Sequence, residues 1–441
     1  MGSRLQDRHF ADPALDPDLR GLNFFSWYPA EGGLKKHTYA STPTFPGVLV
    51  MADFDVVVCG GGPAGLTGAW EAGRRGCRVL ILEEHPSIGL PERCAGLLSL
   101  SGLEKLSLPL DPRFTQNTVR GGVFFSPAGR SFTVDAGKPV AAVVSRRSFD
   151  QHLARRACRY ADLRLKQRVT GVFSENKGVA IRLDHGETIH SRFAFDAEGR
   201  EARIAHSLGL KTNPSGWLPA VQALVTNHNK DRDFVYLFFP PYVHGFFAYL
   251  VPIDEESGKL GLATHRAPLT AIKKFLTSEF PAAKIVGITG GSVYTSRPVP
   301  RATISRTLVM GDAAGHVKAT TGGGVIFGCI SASQAGVSVA KACSDSSVEK
   351  SVCQEYDRWL RQNVTRELSA IALLRSVLDR LPPRVMDAVF TSIAESGVDS
   401  VLSKTGDMDF QRETLVRLTR YTGSPKRLLR VVQSLVSSIL S

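Results

Sequence analysis

Paired cysteines, metal-binding clusters and long apolar runs are missing from this 441-residue sequence. Its seven cysteines are scattered and none forms a CxxC pair, so we expect neither a disulfide framework nor a bound metal. Free thiols are typical of a reducing cytosol, which favours a cytoplasmic protein. The longest stretch without a charged residue, 319–340, is rich in Gly, Ser and Thr, so the sequence predicts no transmembrane helix.

The first 50 residues also lack the continuous apolar segment of a secretory signal. They mix charged residues with proline and glycine, and Met51 stands directly before the first apolar run. We interpret residues 1–50 as a disordered or mis-assigned extension.

The overall composition is apolar enough for a large core and strongly basic. The chain is 43% hydrophobic, and its length predicts two or three domains. The 54 basic residues exceed the 41 acidic ones, which gives a net charge of +13. This surplus favours anionic partners, although a generally basic surface explains it equally well. No recognised nucleic-acid module accompanies the charge, so nucleic-acid binding is not expected.

The first informative motif is a glycine-rich turn, GGGPAG at residues 60–65, between two short apolar strands and at the start of a helix. Gly60, Gly62 and Gly65 match GxGxxG, and Ala64 lies in the same turn. The pattern allows a tight turn, close approach of a pyrophosphate and close packing of helix on strand. Glu83 ends the second strand, where a carboxylate binds a ribose hydroxyl. The sequence therefore predicts dinucleotide binding.

A second glycine-rich region lies about 250 residues later, as GDAAG at 311–315 and TGGGV at 321–325. Together, in this order, the two motifs indicate a chain that binds FAD rather than a nicotinamide. In FAD-binding folds an aspartate at the position of Asp312 bonds the ribityl chain, and the following helix directs its N-terminus at the flavin. The alternative is an ordinary helix start capped by Asp312.

The order GGGPAG, then PERCAGLLS at 91–99, then GDAAG and TGGG resembles the geranylgeranyl reductase family, and the archaeal enzymes that saturate isoprenoid chains of membrane lipids look closest. The resemblance spans roughly residues 53–343, and the Arg-Cys-Ala segment is its most specific part. It implies a flavin contact for Arg93, Cys94 and Ala95. It also implies FAD contacts for these residues: Arg146, Val169 on the adenine side, Asp312, Gly324 and Val325.

The same resemblance places a substrate strand at residues 244–252, with Phe247 and Tyr249 where the family usually has Tyr and Trp. Lys318 and Ala319 replace the family's usual Asn-Pro. These departures concern the lipid class rather than the flavin. The aromatics between 234 and 249 are expected either to line a tunnel for a polyprenyl chain or to form sheet core.

Two residues are candidates for a catalytic role. Cys94 is interpreted in three ways: a small residue whose backbone touches FAD, a redox-active or proton-donating thiol, or a buried inert thiol. His316 follows the GDAAG turn, where it could donate a proton or serve only the structure.

The pattern predicts an α/β fold: an FAD-binding Rossmann-type domain, similar to those of glutathione reductase and p-hydroxybenzoate hydroxylase, with an inserted antiparallel β-sheet substrate domain and a C-terminal helical region. We expect a hairpin or meander over 121–144, a helix over 147–160 and one strand over 302–310. The predicted divisions are these: FAD-binding domain, 51–120, 145–215 and 296–345; substrate domain, 121–144 and 216–295; helical region, 346–441.

The basic amphipathic segment 426–440 could lie on the inner face of the cell membrane or pack on its own protein. The function that we predict is FAD-dependent reduction of C=C bonds in geranylgeranyl lipids or geranylgeranyl diphosphate. The electron donor is either NADPH or a ferredoxin-like carrier, since no second GxGxxG marks an NADPH domain. The alternatives are an FAD monooxygenase of a hydrophobic substrate and an electron-transfer flavoprotein, although the latter normally requires a further redox centre.

Overall fold

The computed structural model describes residues 53–210 and 213–411. The extension predicted for residues 1–50 and the amphipathic segment 426–440 lie outside the described residues.

Strands and helices of the described residues are numbered in chain order. The strands are β1 (Phe54–Cys59), β2 (Val79–Glu83), β3 (Leu97–Ser99), β4 (Thr115–Val119), β5 (Gly121–Phe125), β6 (Ser131–Asp135), β7 (Ala141–Val144), β8 (Asp162–Leu165), β9 (Val169–Glu175), β10 (Gly178–Leu183), β11 (Thr188–Asp196), β12 (Trp217–Thr226), β13 (Phe234–Phe238), β14 (Ala248–Pro252), β15 (Gly258–Ala263), β16 (Lys284–Tyr294), β17 (Thr303–Ile304) and β18 (Thr307–Val309). The α-helices are α1 (Pro63–Gly73), α2 (Leu100–Lys105), α3 (Arg146–Ala157), α4 (Arg203–Ser207), α5 (Pro268–Glu279), α6 (Val325–Ser344), α7 (Val352–Leu360), α8 (Arg366–Leu378), α9 (Pro383–Ser396) and α10 (Val398–Thr405).

The first sheet has the strand order β17-β18-β11-β1-β2-β8, and all neighbours in it are parallel except β17 and β18. Its central strand, β1, has the sequence FDVVVC, whose last four residues are buried. Such a β-branched apolar run fits a strand that is covered on both faces. Strand β10 pairs antiparallel with β11, and β9 in turn pairs antiparallel with β10. The carboxyl end of β1 leads directly into the glycine turn at residue 60.

The second sheet has seven strands in the order β16-β12-β15-β14-β13-β5-β6. The β5–β6 hairpin joins it through a parallel pairing of β5 with β13, although more than 100 residues separate these two strands in the sequence. Helix α5 packs on one face of this sheet through Ile272 and Phe275, which are buried. The opposite face is therefore available to a cavity.

The structure differs from two of the strand predictions. Residues 141–144 leave the second sheet and pair with β3 and β4 in a small third sheet. All four residues of β7 are buried, so the strand lacks the polar alternation of a half-exposed hairpin. The single strand predicted over 302–310 is two short antiparallel strands, because Ser305 adopts a positive φ of 52° and turns the chain. The domain boundaries stay a prediction.

Helices α1 and α6 pack closely and bring both glycine-rich regions to one place. A Cβ on Gly336 would lie 2.6 Å from the Cβ of Glu71 and 2.8 Å from the backbone oxygen of Gly68, so only glycine permits this approach. By length and composition α6 is apolar enough to cross a membrane, but 67% of its 18-residue apolar window is buried inside the protein. It therefore fits the description of a core helix. The N-termini of α1 and α6 both reach the cavity described below.

Candidate active site

A single large cavity of about 2020 Å³ lies between the first and second sheets. It is lined by the turn at 60–64, residues 89–101, the aromatic face of the second sheet, residues 310–312, 318 and 320–326, and residues 406–409 near the end of the described chain. Sites for small ligands typically occupy about 300–1,000 Å³. The cavity therefore has room for a cofactor and a second molecule.

The turn at residues 60–65 has the geometry that its sequence predicts. Gly60 has a positive φ of 113°, and a Cβ on Gly60 or on Gly65 would overlap a backbone oxygen. Gly62 differs, because a Cβ there would meet no protein atom within 4 Å. Helix α1 starts at Pro63 without a side-chain cap, so its N-terminal N–H groups remain available at the cavity. This cradle fits a pyrophosphate, which helix N-termini bind well.

Glu83 stabilises the same turn. Its Oε2 accepts a hydrogen bond of 2.7 Å from the backbone N–H of Gly61, and its Oε1 accepts one of 2.9 Å from the N–H of His85. Glu83 and Val169 both line the cavity. The predicted contacts with ribose and adenine stay predictions, but both residues lie where such a nucleotide would extend from the turn.

The two glycine motifs meet in space. A Cβ on Gly311 would lie 3.1 Å from the Cβ of Ala64, so the second motif contacts the first. Asp312 faces the cavity from a short 3₁₀ turn. Desolvation by the surrounding protein raises the pKa of its carboxyl, whereas the positive charge of Arg146 lowers it. A Cβ on Gly324 would lie 2.6 Å from Oδ1 of Asp312, so glycine at this position leaves room for the carboxylate.

The segment 91–96 forms the wall between the glycine turn and the second sheet. Arg93, Cys94 and Ala95 line the cavity, and the N–H of Gly96 donates a 3.4 Å hydrogen bond to Sγ of Cys94. The backbone oxygen of Gly96 accepts a 2.8 Å hydrogen bond from the N–H of Val144, which ties the segment to β7. The three residues predicted to contact flavin are thus brought to the cavity together with the glycine turns.

Arg146 lies behind this wall as the first residue of α3. Its guanidinium makes a bidentate ion pair with Asp150, at 3.0 and 2.9 Å. The backbone N–H of Arg146 donates a 2.9 Å hydrogen bond to Oε1 of Glu92. Arg146 also lines the cavity, so the structure allows the predicted contact with FAD without testing it.

The aromatic residues of the second sheet divide between its two faces. Phe234, Tyr236 and Phe238 are buried against α5 and form sheet core. Phe246 and Phe247 instead stack at 4.2 Å and line the cavity together with Tyr249, whose hydroxyl donates a 3.0 Å hydrogen bond to Oε1 of Gln222. One set of these aromatics therefore forms sheet core, as one of the two expectations had it, while the other set lines the cavity; that the cavity takes a polyprenyl chain stays a prediction.

His316 does not line the cavity. It is fully buried, with Nδ1 2.8 Å from the hydroxyl of Ser331, and its Nε2 has no hydrogen-bond partner among the described residues. Burial lowers the pKa of His316 to about 3, so the imidazole is neutral at physiological pH. This position favours the structural role, and proton donation by His316 stays a prediction that its placement does not support.

Sequence reasoning missed several charged residues beside the cavity. Lys318, noted only as a departure from the family pattern, is buried and forms an ion pair with Asp409, which also accepts from the hydroxyl of Ser99. This pair fixes residues 406–409 across the cavity. Lys259 of β15 is buried behind segment 91–96 and donates a 3.0 Å hydrogen bond to the backbone oxygen of Val144. The sequence offered one signal for these charged residues, which is the position of Lys318 shortly after the GDAAG turn.

Comparison with known proteins places this fold in a class. The family described as lycopene cyclase protein matches residues 55–256. The solved structure of a geranylgeranyl bacteriochlorophyll reductase-like protein from Thermoplasma acidophilum superposes with a TM-score of 0.76 at 23% identity, over 87% of this chain and 99% of that one. The FAD-dependent halogenase CndH superposes with a TM-score of 0.58 at 21% identity, over 70% and 79%. The protein therefore has the fold of the FAD-dependent oxidoreductases, as the sequence predicts.

Curated relatives narrow the class to a family. Digeranylgeranylglycerophospholipid reductase 1 of Methanopyrus kandleri is 30% identical over 325 residues, which cover 70% of this chain and 86% of that protein. Digeranylgeranylglycerophospholipid reductase 2 of Methanothermobacter thermautotrophicus is 28% identical over 391 residues, which cover 86% and 99%. The chain belongs to the digeranylgeranylglycerophospholipid reductase family. Fold and family together confirm FAD as the predicted cofactor.

Proposed function

We propose that the protein is an FAD-dependent reductase that saturates C=C bonds of geranylgeranyl chains, carried by isoprenoid membrane lipids or by geranylgeranyl diphosphate. One observation carries the proposal: a single cavity contains both glycine motifs, the segment with Cys94 and an aromatic wall. The names of the relatives and of the similar structure, all reductases of geranylgeranyl compounds or proteins like them, support the same chemistry.

When bound and reduced, FAD supplies a hydride to one alkene carbon, and a proton completes the other. An isolated alkene is unactivated, so the protein has to hold it close to the flavin and keep water away. The stacked rings of Phe246 and Phe247 offer a flat apolar surface for a prenyl chain. The thiol of Cys94 lines the same cavity, and we propose that it holds this proton.

The electrons come from NADPH or from a small ferredoxin-like carrier; this part of the proposal rests on the absence of a second GxGxxG from the sequence. We also propose a cytoplasmic location, because the seven cysteines, all of which lie in the described ranges, are free thiols. Contact with the inner face of the cell membrane stays a proposal that depends on residues beyond 411.

The experiment is reduction under anaerobic conditions. The FAD-loaded protein is reduced with dithionite, mixed with digeranylgeranylglycerophospholipid or geranylgeranyl diphosphate, and the products are weighed by mass spectrometry. We expect a gain of two mass units for each double bond, and no gain with free reduced FAD. If the anaerobic reaction gives no gain and a parallel reaction in air with NADPH gives sixteen units, the protein is instead a monooxygenase.

A further inference from the structure

Arg375 is a buried arginine on the side of α8 that lines the cavity. It is 4% exposed, and Leu374 and Leu378 line the cavity beside it. Burying a guanidinium is costly unless its charge is paired and its N–H groups are hydrogen-bonded. The partners of Arg375 therefore show whether the protein itself satisfies this side chain.

The protein satisfies Arg375 only in part. Its Nη2 donates a hydrogen bond to Oδ1 of Asp379, which directly follows α8. Its Nε is buried and has no hydrogen-bond partner among the described residues. The side chain of Asp379 is 33% exposed, so water screens the charge of its carboxylate. The guanidinium is therefore incompletely neutralised and keeps a donor without an acceptor.

Two other buried cations that line the cavity differ from Arg375 in this respect. Lys318 pairs with Asp409, which is fully buried, and Arg146 pairs with Asp150, which is 5% exposed. In the described part of the chain, neither cation leaves a buried nitrogen without a hydrogen bond. These two pairs are satisfied within the protein, whereas Arg375 is not.

The guanidinium of Arg375 lies next to the apolar surface of the cavity. Its Cζ is 5.2 Å from the centroid of the Phe246 ring, and that ring stacks on Phe247 at 4.2 Å. A ligand with an anionic group at one end and an apolar chain would therefore place the anion at Arg375 and the chain on the two rings. Arginine suits a phosphate in particular, because its planar fork of N–H groups matches the phosphate oxygens.

We propose that Arg375 binds the phosphate of the substrate and so fixes the end of the molecule from which its prenyl chain extends over Phe246 and Phe247. The proposal rests on the proposed function, which supplies the prenyl chain. A phosphate is common to geranylgeranyl diphosphate and to a geranylgeranyl glycerophospholipid, and geranylgeraniol is the matching compound without one. Arg375 is thus a specificity-determining residue for the charged end of the substrate.

The test is binding without turnover. The full chain with oxidised FAD is titrated calorimetrically with geranylgeranyl diphosphate, digeranylgeranylglycerophospholipid or geranylgeraniol, all in one detergent. In Arg375→Met we expect phosphate-bearing compounds to bind roughly 10- to 100-fold more weakly, because a charge-assisted hydrogen bond is lost. Binding of geranylgeraniol should not change. A loss for only one of the two phosphate compounds assigns the site to that compound.

Three further variants separate recognition from structure. Arg375→Lys keeps the charge without the planar fork, so it should lose less affinity than Arg375→Met. Asp379→Asn removes the competing carboxylate and should tighten binding of the phosphate compounds about two- to fivefold, which keeps the test usable if Arg375→Met does not fold. Arg380→Met is the control, because Arg380 is exposed and does not line the cavity. It should leave every Kd unchanged.

The outcomes that would overturn the proposal are distinct. An equal loss for geranylgeraniol and its diphosphate in Arg375→Met would make the residue merely structural. Weaker binding of FAD, with unchanged binding of the three compounds, would assign Arg375 to the cofactor. If the natural protein binds none of the three compounds, the proposed function fails together with this proposal. If it binds them equally well without Arg375, this proposal alone is wrong.

Discussion

Gly62→Ala separates binding of the cofactor from stability of the fold. A Cβ at this position meets no protein atom within 4 Å, and the backbone φ of −77° is accessible to alanine. The methyl group therefore points into space that the structure leaves free beside the N-terminus of α1. If that space belongs to the pyrophosphate of FAD, the variant should fold normally and bind FAD poorly.

The expected magnitude follows from the hydrogen bonds that the methyl group would disturb. A hydrogen bond to a charged group contributes about 1.5–3 kcal/mol, so the loss of one weakens FAD binding roughly 10- to 150-fold. Alanine is a poorer N-cap than glycine, but it also reduces the entropy of the unfolded chain. These effects oppose each other, so the free energy of unfolding should change by less than about 1 kcal/mol.

The measurement is titration of FAD into the apoprotein, followed by flavin fluorescence, with urea unfolding of each apoprotein alongside. Gly287→Ala is the matched control, because a Cβ there also meets no atom within 4 Å, but Gly287 lies on β16 and does not line the cavity. Gly65→Ala should instead lower stability by about 1–3 kcal/mol, because its Cβ would overlap the backbone oxygen of Gly60. Normal FAD affinity in Gly62→Ala would refute the placement of the pyrophosphate.

Three further predictions concern other parts of the molecule. Lys318→Met should cost about 3–5 kcal/mol in urea unfolding, because it leaves the carboxylate of Asp409 buried and unpaired; adding Asp409→Leu should recover most of the loss. Because His316 has a pKa of about 3 when folded and about 6.5 when unfolded, the unfolded chain binds more protons and stability falls as pH drops below 6.5. His316→Asn should remove up to about 1.4 kcal/mol per pH unit of that dependence between pH 6 and 4, and an unchanged slope would contradict the assignment. Phe247→Ala should raise the KM for a geranylgeranyl substrate about tenfold, from roughly 1.5 kcal/mol of lost apolar contact, with FAD affinity unchanged.

The parts of the site that the sequence predicts are those built by local turns. The turn needs a positive φ at residue 60 and has no room for a Cβ at residue 65. Glycine meets both requirements, so both are visible in the sequence as glycines. Glu83 ends a strand of predictable length and therefore reaches the same turn. The position of Asp312 in the second glycine motif is likewise set by its neighbours in the sequence. Each of these contacts depends on a few neighbouring residues or on one strand–helix–strand unit.

The aromatic wall could be predicted only in part, because alternation along a strand does not say which face of the sheet is covered. Helix α5 covers the face of Phe238, while Phe247 stays at the cavity. Nothing in the local sequence distinguishes these two phenylalanines. The same limit explains β7, whose partners β3 and β4 are selected by tertiary packing rather than by the neighbouring hairpin.

Buried charges are the features of this site that escape sequence reasoning most completely. A lysine in the sequence favours a solvated position, since its charge is costly to bury. Lys259 and Lys318 are buried only because Glu92 and Asp409, distant in the sequence, meet them in space. Both pairs join the FAD-binding side of the cavity to another part of the chain, one to the second sheet and one to the segment after α10. The glycine motifs create room for the cofactor, whereas these ion pairs set the position of the walls that a lipid chain would contact.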